Sequence, residues 1–281
     1  MRIFEDYPAS TEHAGLRAMN SILERLNSAN LSIDEGYVVG QFHRFLMDLN
    51  NVLLAIGEDK NVKYLEVSCG SGIISMLVKS LGYNNVYATD VLDYNVTDFG
   101  KRPGYLGLFD ITVEPCDVMK DKLPFADASM DAVSFMDVIE HLHGSPKPIL
   151  EEIFRVLKPG GRLMLSTPNS VSLRHRLAVL FGISNYIPVD YFYNAPLPYY
   201  AHVREFTMNE LAYCMRMAGF QIKKKIHYTT FFKDFYRIDH HRVVRKPIAK
   251  GPKNIARMAL WLTTSMLPPM RDSLAVIGQK P

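Results

Sequence analysis

From Val62 to Thr167, short apolar runs alternate with segments of helical periodicity. That alternation restricts the chain to βαβ units, a parallel sheet covered by helices on both faces. Val62–Val67, Asn85–Thr89, Asp110–Cys116, Met130–Met136 and Arg162–Thr167 read as strands. Ile73, Ile74, Leu77, Val78 and Leu81 recur at helical spacing, as do the apolar residues of Lys147–Leu157. Pro159-Gly160-Gly161 is a turn signal that stops the second helix and starts the next strand. Further on, Thr207–Ala218 reads as a helix, with Thr207 and Glu210 spaced as a capping box. Gly219 ends it, the strand Phe220–His227 follows, and Ser273–Gly278 is apolar enough for a last strand. Residues 229–270 fit no simple unit. Ahead of the sheet, residues 9–28 and Val38–Ile56 carry helical patterns. The expected organisation is a helical cap over 1–60 and an α/β domain over 61–281, with insertions at about 170–206 and 229–270.

Composition excludes some classes. Apolar residues make up 48% and charged residues 22% of 281, which suits a chain that buries a full core. Cys69, Cys116 and Cys214 stand far apart, with neither a CxxC pair nor metal-ligand spacing, which favours a reducing compartment. Acids at Glu5 and Asp6 interrupt any signal-peptide run, and no stretch has the apolar length of a membrane span. The expected location is cytoplasmic, with a peripheral place on the inner face of a membrane as the variant. Gln221–Pro281 holds 13 Lys and Arg against three acids, a local net of +10, so the first 220 residues carry −7 of the total +3. Such a tail serves an anionic partner or simply a solvated face.

The densest chemical signal is Glu66-Val67-Ser68-Cys69-Gly70-Ser71-Gly72, between a strand and a helix. Glycines let a ligand approach the backbone, and the helix start turns free N–H groups and its positive dipole end toward it. Asp90 ends the next strand, where a carboxylate accepts both hydroxyls of a ribose. A dinucleotide fingerprint asks for Gly or Ala at position 75, which is Ser75 here, so the turn leans away from NAD.

This run resembles motif I of the class I S-adenosylmethionine (SAM) dependent methyltransferases, in their type 11/12-like group, and later segments match in order. Asp90-Val91 resembles the ribose-binding segment and Asp117-Val118 the one near the adenine amino group. Asp131 through Asp137 to His141 is similar to strand four and the loop beneath the methionine moiety, and Arg155–Leu163 to the helix–turn–strand that follows. The resemblance covers about residues 62–168. It implies a Rossmann-like, seven-stranded, mostly parallel sheet with flanking helices and an antiparallel last strand. It also implies SAM as cofactor, held by Glu66, Ser68, Gly70, Gly72, Asp90, Val91, Asp117, Val118 and Asp137. The family usually has glycine where this chain has Ser68.

Methyl transfer from a sulfonium is an in-line displacement that leans on positioning. A base helps when the acceptor must lose a proton. His141, with His143 close by, is the candidate base; ordinary packing or hydrogen bonding is the competing reading. Two histidines without a third ligand make no metal site, and no metal is expected. His202, Arg204 and Tyr191 are the substrate-binding candidates, with Glu205 beside them; the aromatic run Tyr186–Tyr193, continuing to Tyr199-Tyr200, is a candidate pocket lining or lid. Tyr37, His43 and Arg44 point either to the cofactor carboxylate or to a solvated helix face. Residues 250–267, with Trp261, suit a membrane surface, a core helix or a homodimer contact. Expected partners are a small-molecule or glycan acceptor and no nucleic acid, because no Asn-Pro-Pro-Tyr-like motif follows Met136. The function so implied is methylation of a hydroxyl or amine on a small molecule, sugar or glycan precursor. The alternatives are a quinone or secondary-metabolite methyltransferase and a silent binding protein of the same fold.

Overall fold

A computed structural model of the protein describes residues 7–31, 33–91, 102–195, 201–230, 236–246, 259 and 262–281. Its centre is a seven-stranded sheet of β1 (Lys63–Val67), β2 (Asn85–Asp90), β3 (Thr112–Pro115), β4 (Met130–Met136), β5 (Leu157–Pro168), β6 (Gln221–Tyr228) and β9 (Ser273–Gln279), in the order β3-β2-β1-β4-β5-β9-β6. β1 through β5 run parallel, and β9 is antiparallel to both neighbours. Four of the five β1 residues are buried, as a strand covered on both faces requires. The strand order reverses between β1 and β4, and their carboxyl ends diverge there into a crevice.

Helices α1 (Ala9–Ser28), α2 (Glu35–Ile56) and α3 (Ile73–Ser80) cover one face, together with the short α4 (Arg102–Gly107). Met19, Ile22, Leu26, Phe42, Leu46 and Leu49 share one core with Met76, Ala132, Met164 and Tyr228. The apolar core therefore runs continuously across the residue-60 boundary expected from sequence. α5 (Lys147–Val156) and α8 (Met208–Met217) pack on the other face through Ile149, Ile153, Leu211 and Met215.

Several boundaries differ from expectation for local reasons. α2 starts at Glu35 because the Asp34 carboxylate accepts the Tyr37 N–H at 3.0 Å. β5 begins at Leu157, before the Pro-Gly-Gly turn, because Gly160 and Gly161 exchange backbone hydrogen bonds with Lys280. The stretch expected to be irregular contains α6 (Leu173–Leu180) and α7 (Val189–Tyr193), while the capping box of Thr207 and Glu210 on α8 is present. The segment that fit no unit folds as a hairpin, β7 (Tyr236–Asp239) and β8 (Arg242–Arg245). Tyr199, Tyr200 and most of 250–267, Trp261 included, lie outside the described residues. Among the described residues no helix is long and apolar enough to cross a membrane.

The hairpin straps the two N-terminal helices. Asn20 on α1 bonds both backbone groups of Val243, at 3.3 and 2.7 Å. The buried Glu12 accepts Tyr236 Oη–H at 2.9 Å and the Arg245 guanidinium at 3.0 Å, and Tyr236 meets Tyr7 at 3.0 Å. Removing one partner of a buried pair strands the other. Glu12→Ala is expected to cost about 3 kcal/mol in urea unfolding; a loss within ~0.5 kcal/mol, the usual surface value, would show that the strap carries no load.

Candidate active site

Between β1 and α3 the backbone turns through three left-handed residues: Ser68 (φ 55°), Gly70 (φ 55°) and Gly72 (φ 71°). A Cβ on Gly70 would meet nothing within 4 Å, so the space beside the loop is open. A Cβ on Gly72 would lie 2.7 Å from the buried Leu106 side chain. Ser68 thus adopts the conformation that glycine tolerates best, at a cost of about 1–2 kcal/mol.

Two carboxylates hold the turn. Asp90 accepts the Gly70 N–H and the Val91 N–H, each at 2.7 Å. Glu66 is buried and points the other way, accepting the Ser75 N–H at 2.9 Å as well as the Ser75 hydroxyl. It caps the first turn of α3, whose N-cap Gly72 has no side chain to do so, and its role here is to brace the loop. Burial pushes its pKa up to about 8.

Asp117 follows β3 at the same sheet edge. Its carboxylate accepts the Met119 N–H at 3.0 Å and Lys120 Nζ at 2.6 Å, and the hydrogen bond from Lys120 draws its pKa below the usual value. Val118 packs against the core beneath. Asp137 follows β4 in a left-handed conformation (φ 50°) and accepts Arg44 Nη1 of α2 at 3.1 Å. Of the three cap residues weighed from sequence, Arg44 reaches the site. His43 is buried against Tyr7 and the Thr229 carbonyl, and burial lowers its pKa to about 4, so it is neutral. Tyr37 is partly exposed beside Phe45.

Arg44 lies among acids. Asp48, one turn along α2, is buried, accepts the Tyr228 hydroxyl at 3.1 Å and is pushed by burial up to about 7. Burial, reinforced by Asp137, holds Glu140 well above the carboxylate range, and its Oε1 has no hydrogen-bond partner.

These groups border a cleft of about 720 Å³ at the carboxyl edge of β4, β5 and β6. Arg44, Asp137, Glu140, His141, His202 and Glu205 face it, with Leu173 and Leu177 of α6 on its outer wall. His141 and His202 meet edge to face, ring centroids 4.8 Å apart. His202 Nδ1 lies 2.8 Å from Glu205, whose other oxygen is 3.6 Å from His175 Nδ1. Backbone bonds from Val203 and Arg204 to the Glu140 carbonyl fasten this segment to the turn carrying His141. Glu140, His141 and His202 place ligand atoms up to 4.8 Å apart, more than twice a metal–nitrogen bond of about 2.1 Å.

Arg204 pairs with Glu210 at 2.9 Å, beside the capping box of α8, and is not among the residues that line the cleft. Tyr191 stands 54% exposed on α7, and Tyr186, Phe192 and Tyr193 are exposed beside it; none of these four is among the residues that line the cleft. Glu140 and His175 escaped sequence reasoning, since only the fold brings them to His202.

The methyltransferase domain family matches residues 65–165. The chain is 29% identical over 155 residues to the ubiquinone/menaquinone biosynthesis C-methyltransferase UbiE of Geotalea daltonii, covering 46% of this chain and 62% of that protein. It is 28% identical over 126 residues to the mitochondrial ubiquinone biosynthesis O-methyltransferase of Bos taurus, covering 43% of this chain and 32% of the relative. A SAM-dependent methyltransferase structure from Thermotoga maritima superposes with a TM-score of 0.53 at 17% identity, covering 94% of this chain and 100% of that one.

Two outcomes follow from the turn. Ser68→Gly exchanges left-handed strain for the greater unfolded-state entropy of glycine, a net gain of about 0.5–1 kcal/mol in denaturant unfolding; a loss would mean that the serine side chain supports the loop. Glu66 and Asp48 keep protons in the folded chain up to about pH 8 and about pH 7, whereas free carboxyls lose them near pH 4. The folded state binds more protons over that window, so stability falls as pH rises through it and levels off above about pH 8. Glu66→Gln is expected to flatten the fall in unfolding midpoints measured across those pH values, and an unchanged slope would remove Glu66 as a source.

Proposed function

We propose that this chain, a class I SAM-dependent methyltransferase by its domain over residues 65–165, methylates a hydroxyl of a small polyhydroxylated acceptor. One juxtaposition carries the reading: the open turn at Gly70 with Asp90 lies on the same sheet edge as a cleft faced by His141, His202 and Glu205. SAM supplies an electrophilic methyl on a sulfonium. Asp90 would hold its ribose, and Asp117 and Val118 would border its adenine. Asp137 and its neighbouring acids favour a cation at the floor of the cleft.

The acceptor side asks for orientation and a place for one proton. His202 Nδ1 lies 2.8 Å from Glu205; in the tautomer that donates from Nδ1, Nε2 would be the proton acceptor, the arrangement of a general base. His141 packs against this ring and steadies it. Arg44, Asp137, His141, His202, Thr229 and Thr230 give the cleft a polar lining, which supports a sugar or similar hydroxylated acceptor. A second reading takes a hydroxylated quinone ring. The names of the two curated relatives and the apolar wall of Leu173, Leu177 and Met270 support it.

Asp90→Ala is expected to weaken SAM binding about 100-fold or more in calorimetry, by loss of two charge-assisted hydrogen bonds. The melting transition should remain cooperative. Unchanged affinity would remove the assigned site. Release of S-adenosylhomocysteine across sugars, phenols, amines and lipid-linked glycans then separates the acceptor classes.

A further inference from the structure

α6 and α7 bury no residue. Helices of eight and five residues are too short to persist alone in water, so an apolar surface elsewhere must support them. Between residues 179 and 193 the exposed side chains include Leu180 (74%), Phe181 (74%), Ile183 (63%) and Tyr186 (82%). Val189 and Tyr193 are exposed in the same way. So long an exposed apolar run marks a contact surface.

The order of residues along α6 identifies what covers it. The first turn, Leu173-Arg174-His175-Arg176, is basic, and Arg174 and Arg176 are exposed. The next residues, Leu177-Ala178-Val179-Leu180, and the Phe181-Gly182-Ile183 tip beyond are apolar. Polarity therefore divides along the helix axis rather than around it. At about 1.5 Å per residue, the tip lies roughly 8–10 Å beyond the arginines. That matches the depth of about 5–10 Å to which interfacial segments enter a bilayer, with guanidinium groups left at the phosphates. Tyrosines such as Tyr186 and Tyr193 are side chains that settle at that boundary. Asp190 is the sole acid from Leu173 to Asn194.

We propose that the tip of residues 180–183, flanked by Tyr186 and the α7 aromatics, inserts into the surface of an anionic bilayer. The cleft mouth is then held at the lipid headgroups, since Leu173, Arg174 and Leu177 belong to both the cleft wall and this element. Whichever acceptor the cleft takes, it is met at a membrane.

Flotation of the full chain with vesicles tests the inference apart from any methyl transfer. Vesicles of phosphatidylcholine with phosphatidylglycerol should carry the protein upward, and phosphatidylcholine alone should carry at least about tenfold less, because each basic residue near an anionic surface adds attraction. L180S/F181S/I183S should reduce flotation by more than about tenfold while leaving the melting midpoint and SAM calorimetry unchanged, since these side chains are exposed. Two results would overturn the proposal: wild-type protein that stays at the bottom with both vesicles, or a triple variant that floats as well as wild type. A dimer by light scattering that the triple variant dissociates would also overturn it, assigning the patch to a second copy.

Discussion

The Asp90 carboxylate spans two strand ends: it takes the Gly70 N–H from the turn after β1 and the Val91 N–H at its own strand end. That bridge helps hold the left-handed path through Ser68, Gly70 and Gly72 against its strain. Glu66 anchors the same turn from below through Ser75. One acid therefore faces the ligand side and the other faces the core. Their environments divide the work, since Glu66 is sealed from water and favours its neutral form. The loop is shaped before any cofactor arrives, which lowers the ordering cost of binding.

The acid-rich floor beneath α2 is a second consequence of burial. Asp48 and Asp137 flank one guanidinium, Arg44, and Asp137 also acts on the buried Glu140. Burial opposes the charge of that guanidinium, yet Asp137 and Asp48 hold its pKa above the ordinary arginine value. Burial raises the pKa of both Asp48 and Glu140, so each favours its neutral form more than a free carboxyl does. Such a floor changes charge with small changes in its surroundings, and a bound cation would favour ionisation of the acids around it.

Strands β1 to β5 and the helices α3 and α5 were legible because burial on both faces writes continuous apolar runs and helical spacing into local sequence, whereas the short α4 was not. The glycine turn and Asp90 were legible for the same reason, lying next to those strands. The His141–His202 contact was not, because 61 residues separate the two rings and only backbone bonds from Val203 and Arg204 to Glu140 join them. Arg44 was ambiguous because its partner Asp137 is 93 residues away. Arg204 sits close to His202 in sequence, and its pairing with Glu210 at the start of α8 was not legible. α6 and α7 escaped periodicity because they bury no stripe, and the β7–β8 hairpin because its strands are only four residues long.

The position of β9 between β5 and β6 also bears on how the chain is made. It pairs with both, and no other strand joins them. As the polypeptide leaves the ribosome, β1 to β5 emerge early enough to assemble around the glycine turn. β6 has to wait for residues 273–279 before it gains a neighbour. The half of the molecule around the glycine turn is thus able to form during translation, whereas the outer cleft wall at Thr229 and Thr230 closes only after β9 threads into place.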